Sequence, residues 1–379
     1  MRVIRTVLGD IEPAAAGAVD SHDHLFLTTP VLPGEELDDE VAAAAVLRAF
    51  AAAGGGTVVQ WTPRGLKRGL PALRRISEST GVHVVAATGR HRRAIYGRSA
   101  ETDLTVDDLA RAFIGDIRER GCGLIKVGIS YQAITPDETD ALRAASIAHH
   151  ATGAPIGIHL EQGSAAELVL DALVADEVPP RSIVLGHLGR NPELTRITAA
   201  AQSGAWLCLD TPSPRHPLEF DRLAEVFATL VDHGHLAQLL LGADTTLASS
   251  RANPLSFGPA ALLHNVVPRL THVLGADSVS RIIVDNPARA WASDQASERD
   301  GPAAREQRGR ERRDLEGEQV FAEGVELVPV ADQAALAQLG GEAVADLGDV
   351  LTGDGQGDEE PVAAGLLHDL VHLRRDGGG

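Results

Sequence analysis

One unit recurs along the first 292 residues: a short apolar run rich in valine or isoleucine, a polar residue at its end, then an amphipathic segment. The runs are AVDSHDHLF (18–26), TVVQW (57–61), VHVVAAT (82–88), GLIKVGI (123–129), PIGIH (155–159), SIVLGH (182–187), AWLCL (205–209) and QLLLGAD (238–244). Leu37–Ala53, Leu104–Arg120 and Pro136–Thr152 are examples of the helical stretches between them. Strands that are apolar throughout must be buried on both faces, which a helix-covered parallel sheet provides. Eight such units in roughly 290 residues are what a closed (β/α)8 TIM barrel requires. A doubly wound open sheet is the alternative, but no GxGxxG turn follows the first run, and Gly54–Gly56 precedes a strand and reads as a turn. Thr135-Pro136 is the start of a helix, a capping hydroxyl followed by proline at the first position, and Asn191-Pro192 and Asn286-Pro287 use the same device.

Composition changes near Ala292. Of the net charge of -19, residues 293–379 carry 20 acidic and 8 basic side chains, which leaves -7 for residues 1–292. The domain reading is therefore a barrel over 1–292 and an acidic, low-complexity extension over 293–379, disordered or loosely helical, with a docking segment as the alternative. The acidic balance argues against a nucleic-acid partner. No apolar stretch reaches membrane-spanning length, and the first residues do not read as a signal peptide. Cys122 and Cys208 lie in or beside strand-like runs as buried thiols, so no disulfide framework follows and a cytoplasmic location is expected.

Chemistry in such barrels sits at the C-terminal ends of the strands. Here those ends carry His22 and His24, Lys126, His159, His187 and Asp244. In HxH the two imidazoles share a face of a strand and could pinch a cation, although the spacing alone is weak evidence. Taken singly, His159 and His187 could be satisfied histidines at a sheet edge, and Asp244 a helix cap. Lys126, flanked by Ile125 and Val127, is costly in a central strand unless paired or neutral. Together, four imidazoles and a carboxylate suit zinc or another borderline divalent ion. They are too many for one open catalytic ion, whereas two ions about 3.5–4 Å apart would use them all. Two ions need a bridging anion, and Lys126, neutral through burial, supplies one if carbon dioxide converts it to a carbamate.

The ordered pieces IRTVLGDIEP, HxHLF, GGGTVV, TGVHVVAATG, GLIKVG, IHLEQG, VLGHLGRNPEL, LLLGAD and VDNPARA make the chain resemble the phosphotriesterase family of the amidohydrolase superfamily over residues 4 to 292. The resemblance implies a (β/α)8 barrel, often homodimeric, with two metal ions, usually zinc. By motif position, His22, His24 and Asp244 would hold the more buried ion and His159 and His187 the more exposed one. Carboxylated Lys126 would bridge them together with a hydroxide that attacks a lactone or ester carbonyl or a phosphoester, and Asp244 would transfer the proton. Ser21, Ser130 and Cys208 have no basic partner by spacing and read as structural.

The loops after the strands are basic: Arg64, Lys67 and Arg68, then Arg90, Arg92 and Arg93, then Arg190, Arg215 and Arg251. Guanidinium forks suit phosphate or carboxylate, so a small anionic substrate such as a phosphorylated lactone is expected, with Arg90, His91, Trp61 and Arg251 as its contacts, a core role being the alternative for Trp61. The alternative for any one arginine is a pairing with the protein's own carboxylates. Arg90-His91 stands where many relatives have aromatic residues after TG, and TTLASSR follows Asp244 where close relatives often carry a double arginine. With 3% aromatic residues the chain is poorly furnished for aryl phosphotriesters, which favours lactone hydrolysis over organophosphate triester hydrolysis. A cyclic-amide hydrolase and a non-catalytic metal-binding regulatory barrel stay open as alternatives.

Overall fold

In the computed structural model, residues 2–294 are described, apart from 98, 100, 102, 191, 192, 215–219 and 253–255. The expectations about the acidic extension beyond 294, the Asn191-Pro192 cap and Arg215 lie outside the described residues.

A hairpin, β1 (Arg2–Thr6) and β2 (Gly9–Ile11), precedes eight strands: β3 (Ala18–Asp23), β4 (Gly55–Gln60), β5 (His83–Arg90), β6 (Cys122–Ile129), β7 (Ile156–Leu160), β8 (Ile183–Gly186), β9 (Trp206–Asp210) and β10 (Leu239–Gly242). These eight form one sheet in sequential order, every recorded pairing parallel. Helices α1 (Glu40–Ala52), α2 (Leu70–Thr80), α3 (Val106–Arg120), α4 (Pro136–Thr152), α5 (Ala166–Ala175), α6 (Leu194–Gln202) and α7 (Phe220–Asp232) follow β3 to β9 in turn. The seam between β10 and β3 is drawn together differently. Asp244 N–H donates to His22 O at 2.8 Å, and Ala243 and Thr245 N–H donate to the carboxylates of Asp20 (3.0 Å) and Asp23 (2.6 Å). The fold is the (β/α)8 barrel expected from the eightfold repeat.

Alternation along the strands divides the apolar residues into two layers. Val58, Val84, Ile125 and Val127 pack outward against the helices. Val59, Val85, Leu124, Val184, Cys208 and Leu240 pack inside the barrel with Trp61, Trp206 and Trp291. Strand β11 (Ala292–Asp294) pairs antiparallel with β1. β1 lies against the start of the barrel strands: Val7 N–H donates to Val84 O at 2.9 Å, and a Cβ on Gly123 would lie 2.3 Å from Arg5 O.

Thr135 caps α4 with a full capping box, Glu138 returning its carboxylate to the Thr135 N–H, as the TP start predicts. Two expectations fail where residues remote in sequence intervene. Gly55 and Gly56 are strand residues of β4, not a turn; their side-chain sites are filled by the Phe50 ring (2.3 Å) and Ala16 O (2.4 Å). Asn286 caps nothing, because a π-helical segment, Arg281–Asp285, runs directly into Asn286–Ala290; its buried amide donates to Leu236 O and Leu239 O, both at 2.8 Å, and anchors the start of β10.

Candidate metal centre

His22 stands in β3, but the strand ends at Asp23 and His24 lies one residue beyond it. A register shift, in place of simple alternation, brings the two rings to 5.5 Å between centroids. Both Nε2 atoms point at one carboxylate oxygen, each 3.3 Å from Asp244 Oδ1. His159 lies within β7, and its Nδ1 is 2.7 Å from His187 Nε2. Lys126 follows Leu124 on the inward face of β6 and is 1% exposed. Its charge acts on His24, His159 and Asp244. The six side chains named from the strand ends thus gather at one mouth of the barrel.

Two of them adopt left-handed backbone conformations, His187 at φ 67° and Asp244 at φ 47°. For residues with a Cβ this costs on the order of 1 kcal/mol each, and such strain concentrates where geometry serves function. The seam hydrogen bond from Asp244 N–H to His22 O holds one; the turn that sends Arg190 N–H to His187 O (2.9 Å) holds the other.

Each imidazole has its outward nitrogen fixed by a partner. His24 Nδ1 is 2.7 Å from Thr62 Oγ1, and that hydroxyl spends its proton on Phe26 O at 2.6 Å. Nδ1 must therefore be the donor, which leaves Nε2 with a lone pair facing the centre. His159 turns Nε2 to Glu161 (2.9 Å), and Glu161 also pairs with Arg92 at 2.6 Å. His22 and His187 both direct Nδ1 to Asp210, at 2.9 and 2.5 Å. Asp210 is the largest omission of the sequence reading. It is the last residue of β9, one position past the apolar run AWLCL, and follows Trp206 and Cys208 on the inward face. The alternation that locates Lys126 locates it too.

Burial depresses His24 and His187 to about 4, and His159 well below the usual imidazole range, so these rings are neutral at pH 7. Burial pushes the Lys126 ammonium down to about 7; Asp244 opposes the shift and Arg92 adds to it. Burial alone would raise Asp244, but His22, Arg190 and His187 hold it well below the usual carboxylate range. Neutral imidazoles, a deprotonatable amine and ionised carboxylates are the state that cation binding requires. The fit shows in one atom: His22 Nε2 is buried with no hydrogen-bond partner. A buried lone pair left bare is costly in a protein interior, and a cation would satisfy it. Among the described residues, His22–His24–Asp244 and His187–Asp210–Asp244 each bring ligand atoms within 4.8 Å of one another, as does His22–Cys208–Asp210. His159 is in none of these groups.

Most of the basic residues expected to read substrate are engaged by the fold. Arg64 and Arg68 converge on the buried carboxylate of Asp116, at 3.0 and 2.8 Å. Arg90 is buried beside Asp137 (3.6 Å), and Arg93 pairs with Asp103 and Asp137. Arg251 donates to the main-chain oxygens of His24 (3.2 Å) and Leu25 (2.5 Å), tying down the strand end that carries the HxH pair. Trp61 has no exposed surface. It stacks on His22 at 4.1 Å, meets Trp291 edge-on and donates to Ser21 O, so it is the floor beneath the centre and not a wall of the substrate pocket. His91 does border the site, its ring 4.4 Å from that of His159. Arg190 and Arg92 reach it as well, the first paired with Asp244 and the second with Glu161. Ser130 is held by Glu138 at 2.6 Å, and burial raises both cysteine thiols, Cys122 to about 12; all three are structural. No described helix is long and apolar enough to cross a membrane.

Comparison with known proteins agrees with this geometry. The phospho-furanose lactonase of Mycoplasmopsis synoviae is 26% identical over 328 residues, spanning 77% of this chain and 92% of its own. The N-acetyltaurine hydrolase of Salmo salar is 27% identical over 343 residues, spanning 76% of this chain and 97% of its own. A lactonase of Listeria monocytogenes superposes with a TM-score of 0.73 at 25% identity, covering 77% of this chain and 100% of its own. The model of the phosphotriesterase family matches residues 2–291, the whole barrel, and this chain belongs to that family of hydrolases.

Proposed function

We propose that the protein is a binuclear metal hydrolase that opens lactones, with a preference for lactones that carry an anionic group. The observation that carries this reading is the set of four imidazoles, each with its outward nitrogen tied to an Asp, Glu or Thr side chain and the other turned inward, where His159 and His187 meet at 2.7 Å and His22 Nε2 has no hydrogen-bond partner. His22, His24 and Asp244 would hold one ion, and His159 and His187 the other. Lys126, carboxylated by carbon dioxide, would supply the anion between them. Zinc suits the nitrogen-rich donor set. When bound, two such ions supply a water acidified enough to lose its proton near neutral pH and a Lewis acid for the carbonyl oxygen.

The remaining work falls to the chain's own residues. Asp244, ionised and at the centre, accepts the proton that must leave the attacking water. Arg190 pairs with Asp244 and must share that carboxylate or turn outward when substrate enters. Turned outward, its guanidinium meets an anionic group on the substrate, and Arg92 and His91 line the side of the mouth towards His159. The names of the two curated relatives point the same way, since a phosphorylated sugar lactone and N-acetyltaurine are both anions.

The second of those names favours a second reading, amide hydrolysis of an N-acylated anion at the same centre. A panel of phosphorylated and neutral lactones, phosphotriesters and N-acyl sulfonates, assayed with zinc, manganese or cobalt, separates the two. The lactonase reading expects kcat/KM highest on the phosphorylated lactones. Turnover of the N-acyl sulfonates alone would replace it with the amidase reading, and no turnover by protein holding two ions would leave a binding protein.

A further inference from the structure

The binuclear reading leaves one buried carboxylate without a task. We infer that Asp210 is a positioning residue that fixes one imidazole of each metal subsite in its ligating tautomer, so that the two subsites fill and empty together. The inference rests on the metal centre proposed above. Asp210 is 6% exposed, and each of its two oxygens faces the Nδ1 of a different ring, at 2.9 and 2.5 Å. With both carboxylate oxygens engaged as acceptors, the two nitrogens facing them carry hydrogen. Its Oδ1 takes the Nδ1–H of His22 and its Oδ2 the Nδ1–H of His187. Both rings therefore turn Nε2 inward: His22 Nε2 has no hydrogen-bond partner, and His187 Nε2 is 2.7 Å from His159 Nδ1, a contact that a bound ion would replace. Thr62 and Glu161 perform the same service for His24 and His159, but each acts on a single ring. Among these partners Asp210 alone spans rings assigned to different ions, and it holds the two ring centroids 4.8 Å apart.

Replacement by asparagine isolates this role, because the shape stays and one acceptor becomes a donor. Whichever way the amide sits, its NH2 faces one Nδ1. That ring must then carry its hydrogen on Nε2, aimed at the ion it should bind. Partners of this kind typically change metal affinity by about 10–100-fold.

The test uses the full chain loaded with zinc, with stoichiometry from elemental analysis and affinity from competition with a chromogenic chelator. Wild type is expected to bind two equivalents. Asp210→Asn should weaken one equivalent about 10–100-fold, Asp210→Leu, which removes both acceptors, should weaken both in parallel, and Thr62→Val should weaken one more than the other. Nitrogen-15 spectra of histidine-labelled wild type give a readout that needs no variant: His22, His24 and His187 should carry hydrogen on Nδ1, and His159 on Nε2. An Nε2–H tautomer at His22 or His187 overturns the inference. So does an Asp210→Asn or Asp210→Leu protein that holds two zinc ions at wild-type affinity, or an Asp210→Leu protein that loses only one; the binuclear reading survives either result. Wild-type protein that binds no zinc removes that reading, and this inference with it.

Discussion

Replacing Lys126 with methionine should make the metal-free protein more stable while abolishing its metal centre. The lysine is 1% exposed, and burial brings its ammonium from 10.5 down to about 7. Between those values the unfolded chain binds a proton that the folded chain does not. Stability of the metal-free protein must therefore rise with pH through that window, by at most about 1.4 kcal/mol per pH unit. From pKa values of 10.5 and about 7, the charge costs the fold about 4 kcal/mol at pH 7 and about 2 kcal/mol at pH 9. The first figure is an upper bound, because water and side-chain relaxation at the mouth reduce it. Methionine is unbranched, of similar length and adaptable in packing, so Lys126→Met removes the charge at little steric cost.

The assay is urea unfolding of chelator-treated protein in buffer free of carbon dioxide, at pH 7 and pH 9. Groups common to both proteins cancel in the comparison. Wild type should gain about 2 kcal/mol more than the methionine variant on going from pH 7 to pH 9. Parallel pH dependences would refute the reasoning, since Lys126 would then have the same proton affinity folded and unfolded. Adding zinc and bicarbonate should stabilise wild type and leave the variant where it was.

Two further substitutions separate structural arginines from functional ones. Asp116→Ala strands Arg64 and Arg68 beside a vacated, buried position, and should cost about 3–5 kcal/mol in urea unfolding with zinc stoichiometry unchanged. Arg251→Met frees the segment after β3, and kcat/KM should fall equally on charged and neutral lactones, by about 10-fold if the loss is near 1.4 kcal/mol. A selective loss on the charged substrate would instead place the Arg251 guanidinium against it.

The fold was legible because burial on both faces imposes a pattern that local sequence carries by itself. A helix-covered parallel strand must be apolar along its length, and eight runs with amphipathic segments between them leave few topologies. The gathering of six side chains at one mouth was legible for a related reason: a histidine or lysine at the end of an apolar run violates that pattern, and violations mark the mouth. The misreadings arise where a contact between distant residues outweighs a local rule. Gly55 and Gly56 read as a turn by composition, yet the Phe50 ring and Ala16 O occupy the space that any side chain there would need. Asn286-Pro287 reads as a helix start, yet the Asn286 amide is used on Leu236 O and Leu239 O, and the helix simply continues.

Charge was least legible, and the reason is physical. A guanidinium is long enough to choose among several carboxylates, and the choice depends on which ones folding brings within about 4 Å. Asp116 sits 52 residues from Arg64 and 48 from Arg68, and nothing local to either arginine reveals that one buried carboxylate takes both. Arg251 reaches main-chain oxygens 226 and 227 residues away. Asp210 is the same case turned inward: 188 residues separate it from His22 and 23 from His187. An aspartate after an apolar run has many bland explanations until both rings are seen to face it. Once they are, the position of the run's last residue follows from strand alternation alone. The carboxylate that both rings face was in the repeat, one residue past where the apolar pattern stops.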